Sequence, residues 1–318
     1  PMLLNSVKFP SSARIAAIVG TLSLFAAASQ ACAQADALPP DLVAVKQALT
    51  TEQRKTVSEF VTQVAERFAA ADPAGVAAIR SKLVEQIRLP TVSPNFRRDF
   101  GIEFVKGFGK FAQGTDSMRA TNAFILARFI ATAETIDFLA DNLDPDAQPE
   151  VAIRIAAAAQ LPKALDAAPL SAPQFDAITK RLAIVIKKER NWVVASHEVE
   201  SITQMLREEG LTPPQADAIA MSLAATINDL ESRVAAGTDP QLVNALQRAL
   251  LAVRNQLSGI AGSARTKLLT AIAPSLESLV KMKSAPPAGI TDAELTTTFN
   301  AVVNTAGLLQ KVRASGAG

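Results

Sequence analysis

From residue 50 almost to the C-terminus, apolar residues recur at intervals of three and four, the period of one face of an α-helix. This pattern is punctuated by a repeated local signal, a short polar residue followed by proline, at Asp72-Pro73, Ser93-Pro94, Asp144-Pro145, Thr212-Pro213 and Asp239-Pro240. The first residue of each pair has an oxygen that accepts from the unpaired N–H groups of a starting helix. The proline fills a position whose own N–H would have no partner. Thr50-x-x-Gln53 and Thr291-x-x-Glu294 add two capping boxes, and Gly114, Gly210 and Gly237 break the pattern between segments. No run alternates with a period of two. The chain is therefore predicted to be all-α, with successive helices joined by short connections into antiparallel hairpins.

Composition agrees: tyrosine is absent, Trp192 and His197 are the sole members of their types, and alanine and leucine dominate. In the C-terminal part the stripes Ile219–Val234, Leu242–Leu257, Leu268–Leu279 and Leu295–Leu309 predict four amphipathic helices, as a bundle or as further hairpins. The expected division is a helical-repeat region over 36–210, a C-terminal helical unit over 211–314 and a short tail at 315–318.

Residues 1–35 read differently. Lys8 and Arg14 precede the apolar run Ile15–Ala28, and small residues lead to Ala33 and Ala35 ahead of Asp36. This is the layout of a cleaved secretory signal, and the run falls short of the roughly 20 apolar residues that a membrane span requires. The protein is thus expected to be exported, periplasmic or extracellular, with no transmembrane span once the signal is cut. Cys32, the only cysteine, lies in this segment, and lipid attachment there would anchor the protein to the envelope. Removing residues 1–35 lowers the basic residues from 32 to 30 against 30 acidic ones, so the exported chain is neutral and nucleic acid is not an expected partner.

The segment Asn142–Val151, followed by the Arg- and Ala-rich stretch from Ile153, resembles the HEAT-like family of helical repeats. In that family an Asp/Pro turn leads into a helix with a Val–Arg start and small residues where helices touch. Arg119, Arg154 and Arg190 stand 35 and 36 residues apart, within the roughly 20–50-residue periods typical of stacked repeats. The resemblance covers about residues 115–210 and departs from the family at Gln160 and in the copy at Arg190. It implies a HEAT-like α-solenoid, and the alternative is an irregular multi-helix array.

The residue types present exclude most site chemistries. One histidine and no cysteine beyond Cys32 cannot build a zinc site, and Asp141–Asp146 lacks the glycine and closing glutamate of a calcium loop. Ser278-x-x-Lys281 has none of its companion motifs, and Gly107-Phe108-Gly109 follows no strand. No catalytic, cofactor or metal residue is assigned. Two binding candidates remain. Arg190, Asn191, Trp192, His197 and Glu198 form a chemically mixed stretch suited to a recognition surface. Phe96, Phe100, Phe104 and Phe108 form an aromatic stripe that is either core or an open apolar groove. The preferred expectation is a non-enzymatic scaffold that binds another protein or an envelope component. The alternatives are a carboxylate-based hydrolase of an envelope polymer and a lipoprotein or apolar-ligand carrier.

Overall fold

A computed structural model of the chain describes residues 37–315, Glu209 and Ala261 excepted. The expected signal, Cys32 and residues 316–318 of the expected tail lie outside the described residues; Ser315 belongs to the last helix. The described residues form helices and connections only, with no strand among them, as the periodicity predicts. The helices are α1 (Pro40–Val43), α2 (Thr51–Ala70), α3 (Pro73–Ile87), α4 (Pro94–Ala112), α5 (Ser117–Ile130), α6 (Ala133–Asp141) and α7 (Val151–Ala167). They continue with α8 (Ala172–Val185), α9 (Trp192–Met205), α10 (Pro213–Ala235), α11 (Val243–Gln256), α12 (Gly262–Ala271), α13 (Ala273–Lys281) and α14 (Ala293–Ser315).

The predicted caps explain many of these starts. Thr50 Oγ1 accepts from Gln53 N–H while Gln53 Oε1 accepts from Thr50 N–H. Asp72 Oδ1 accepts from Gly75 N–H at 2.7 Å, and Ser93 Oγ accepts from Phe96 N–H at 3.0 Å. Such caps stabilise a helix by about 1 kcal/mol each. Four predicted boundaries shift. Asp239-Pro240 opens only a single 3-10 turn, without a cap hydrogen bond from Asp239, and α11 begins at Val243. Asp144-Pro145 opens a turn and not a helix: Asp144 Oδ1 accepts from Asp146 N–H, and α7 begins only at Val151. The last helix is capped by Asp292, whose Oδ1 accepts from Leu295 N–H at 2.7 Å, one residue after the expected Thr291. The stripe Leu268–Leu279 is split into α12 and α13 around Ile272, where Pro274 removes a donor from the helical ladder.

The helices pack in two layers. In one, α3 contacts α5, α5 contacts α7, α7 contacts α9, α9 contacts α11 and α11 contacts α14. In the other, α2 contacts α4, α4 contacts α6, α6 contacts α8, α8 contacts α10, and α10 contacts α12 and α13. Consecutive helices join the layers, for example α4 with α5 and α6 with α7. One continuous apolar core runs from Leu42 to Leu309, so the expected division at residue 210 interrupts neither layer.

The Phe stripe of α4 belongs to this core, which corrects the expectation of an open groove. Phe96, Phe100, Phe104 and Phe108 are all buried. The Phe104 and Phe108 rings lie 4.6 Å apart, Phe108 meets Phe68 of α2 at 5.1 Å, and Phe104 meets Phe138 of α6 at 6.4 Å. The intervening glycines permit this packing. A Cβ on Gly107 would stand 2.8 Å from Val61 Cγ1 of α2, and one on Gly101 would collide with the Thr132 side chain at the start of α6.

The three spaced arginines do not share one register. Arg119 and Arg154 both lie in the first turn of their helices, α5 and α7. Arg119 donates to Ala71 O at 2.8 Å, beyond the end of α2, and Arg154 donates to Gln148 O and Pro149 O at 2.8 and 2.9 Å. Arg190 lies outside any helix, in the turn before α9. The third copy therefore does not repeat the geometry of the first two.

Candidate functional site

The chemically mixed stretch around Arg190 divides into a locked turn and a buried acid. Glu189, which the sequence did not single out, is the centre of the turn between α8 and α9. Its carboxylate accepts from Arg154 Nε at 2.7 Å and Nη2 at 3.2 Å, and also from Arg190 N–H and Asn191 N–H at 2.9 and 2.7 Å. Both side chains of this ion pair are buried. From the other side Arg233 of α10 donates to Glu189 O at 2.7 Å and to Ile186 O at 3.2 Å, and it pairs with Asp239 at 3.0 Å. The turn is therefore held by two arginines from neighbouring helices, with every acceptor of Glu189 used.

The predicted recognition residues are placed around this lock and differ in exposure. Arg190 is exposed and approaches Asp239 at 4.0 Å. Asn191 is the N-cap of α9, its Oδ1 accepting from Val193 N–H and Val194 N–H. Trp192 is half-buried under Arg248 of α11, whose Cζ stands 5.8 Å from the ring centre. His197 is half-buried, with Nδ1 2.9 Å from Glu200 Oε2. Glu198 is the correction: it is fully buried, and neither carboxyl oxygen has a hydrogen-bond partner. Burial raises its pKa well above the ordinary carboxylate value, the nearby Glu189 adds to the rise, and Arg154 opposes it. Burial thus favours the protonated form of Glu198, which lies inside the helix layers and takes no part in a recognition surface.

A larger concave surface lies around Phe129 at the end of α5. On one side is a cleft of about 610 Å³ between the start of α4, the α5–α6 junction and the α7–α8 connection, walled by Pro94, Phe129, Ala131, Ala133 and Pro169. Arg97, Arg98 and Glu134 are its charged residues. On the other side is a shallower trough of about 800 Å³ over α3, α5 and α7, lined by Arg80, Arg88, Arg128, Glu85 and Gln160. Phe129 lines both.

This site has a rigid support. Arg97 donates to Ile87 O and Phe129 O, both at 2.9 Å, tying the ends of α3 and α5 to α4, and burial holds its pKa below the usual guanidinium value. At the cleft wall Ala131 ends α5 with φ of 48°, the only positive φ outside glycine among the described residues. A left-handed alanine costs about 1–2 kcal/mol and persists only where its surroundings fix it. The site is not local in sequence: Arg80 of α3 and Arg88, just past its end, come near Arg128 and Phe129 of α5 only through packing within one layer, and its one local trace is the Arg128-Phe129 dipeptide. No group of three or more His, Cys, Asp or Glu side chains suited to a metal occurs among the described residues. No described helix is long and apolar enough to cross a membrane. Set against known proteins, the chain matches no family model, no curated sequence and no solved structure.

Proposed function

We propose that this protein is an exported, non-enzymatic α-helical repeat protein of the α-solenoid kind, acting as a scaffold that binds another protein or an envelope component. The observation that carries the reading is the serial packing of helices in two layers, each helix from α2 to α10 meeting the next but one. Such stacking spreads contacts along the chain and leaves an extended surface for recognition. The concavity around Phe129 supports it further, being a polar-rimmed surface with an aromatic centre. Its cleft presents a single acid, Glu134, whereas sugar-polymer hydrolysis by an acid pair needs two. The Phe stripe that would have served an apolar-ligand carrier is filled core.

The test is affinity capture of the purified protein's partners from envelope extract, with cross-linking before washing. Retention of a defined protein or envelope polymer in constant proportion supports the scaffold. Recovery of nothing above an unrelated helical protein of equal charge, or cleavage of an envelope polymer by the purified protein, refutes it.

A further inference from the structure

Phe129 is partly exposed, and two guanidinium groups lie over its ring. Arg128 Cζ is 4.4 Å and Arg88 Cζ 5.7 Å from the ring centre. Arg80 donates to Asn122 Oδ1 at 2.8 Å, and Arg128 donates to Gln160 Oε1 at 3.3 Å, both neutral amides. Several other arginines pair with carboxylates: Arg119 with Asp116, Arg154 with Glu189, Arg233 with Asp239, Arg313 with Glu277. Among the described residues none of Arg80, Arg88, Arg97 and Arg128 stands within ion-pair distance of an acid. Four arginines without a carboxylate partner thus gather around the Phe129 ring.

We propose that this concavity binds a short acidic peptide segment of a partner protein. Side-chain carboxylates meet Arg80, Arg88 and Arg128 in the trough, and an apolar side chain enters the cleft against Phe129, Pro94 and Pro169. The inference rests on the scaffold reading and names the chemistry of its partner. Guanidinium groups held over an aromatic ring retain N–H donors for carboxylate contact. The cleft walls distinguish a peptide from a phosphate polymer. They are largely apolar, and Glu134 Oε2 is buried there without a partner, an acceptor that suits a peptide N–H and repels phosphate. The site extends on both sides of Phe129, which matches an extended segment better than a single small anion.

The experiment is fluorescence anisotropy on the purified protein with three labelled short peptides: Glu residues flanking Leu, the same sequence with Gln for Glu, and the same with Lys for Glu. A labelled oligonucleotide of matched length is the fourth probe. The acidic peptide is expected to bind at least about tenfold tighter than its Gln counterpart, and to weaken as salt screens the arginines. The double variant Arg88→Gln/Arg128→Gln, which removes no contact to a backbone carbonyl, is expected to lose about tenfold of that affinity with its melting temperature retained. Phe129→Ala is expected to weaken it as well. Equal binding of the Glu and Gln peptides, unchanged binding by the double variant, or tighter binding of the oligonucleotide overturns the proposal. In affinity capture, a partner held equally by wild type and double variant leaves the scaffold standing and removes this site. Capture failing altogether removes the scaffold.

Discussion

Glu198 offers the sharpest test of the buried chemistry, through Glu198→Gln. In the folded protein burial and Glu189 raise the Glu198 pKa well above that of an exposed glutamate, near 4.3 in an unfolded chain. Below the unfolded-state value both states carry the proton, and the group imposes no penalty on folding. As pH rises above it, the unfolded chain releases the proton and the folded chain keeps it. Folding then loses about 1.4 kcal/mol for each pH unit until the folded-state pKa is reached. The group is fully buried, so solvent screening does not discount this slope. Glutamine has the same shape and no proton to release. Asp137 and Asp229, also raised by burial, contribute equally to both proteins and cancel in the comparison. The assay is urea unfolding followed by circular dichroism between about pH 5 and pH 7, where wild type is expected to lose stability relative to the variant as pH rises. Parallel stability curves for the two proteins would refute the reasoning, since they would mean that Glu198 titrates normally and is reached by water.

Three further substitutions probe the frame. Arg154→Ala leaves Glu189 charged and uncompensated in the interior and should cost about 3–5 kcal/mol in denaturant unfolding; an effect under 1 kcal/mol would show that water enters the turn. Phe104→Ala removes a fully buried ring between Phe108 and Phe138 and should cost about 3–5 kcal/mol. If this stripe were a groove, the loss would be small, with increased binding of an apolar dye to wild type. Ala131→Gly releases a left-handed backbone and should raise stability by up to about 1 kcal/mol, the relief of strain exceeding the added chain entropy; clear destabilisation in thermal melting would indicate that the Ala131 methyl contributes more through packing.

The legible parts of the fold were those decided within one turn of chain. Thr50, Asp72 and Ser93 cap their helices because an oxygen and an N–H three residues on need nothing from the rest of the protein. Asp144 carries the same local signal, yet the chain does not turn helical there. Gln148 diverts it, donating to Ala112 O of α4 at 2.6 Å and accepting from Glu150 N–H at 3.1 Å, so the start of α7 is set by a distant helix. Glu198 was misplaced for a similar reason. A carboxylate on an amphipathic helix reads as solvent-facing, but α9 is flanked by α7 and α11 in its own layer and by α8 and α10 in the other. Little of its circumference is left for water.

The same logic separates two uses of arginine in this chain, and the separation is what locates the candidate site. Arg97, Arg119, Arg154 and Arg233 each donate to backbone carbonyls near helix ends. Those carbonyls have no partner within their own helices, and a planar fork of donors satisfies several at once while joining neighbouring helices. Removing such a residue should loosen the array whatever the protein binds. Arg88 and Arg128 do none of this: they lie over the Phe129 ring, and no backbone carbonyl among the described residues depends on them. A stacked guanidinium without an acid contributes little to folding that a glutamine could not supply, whereas it holds positive charge at the surface in a fixed orientation. Of the two groups, Arg88 and Arg128 are therefore the pair whose loss should separate binding from stability.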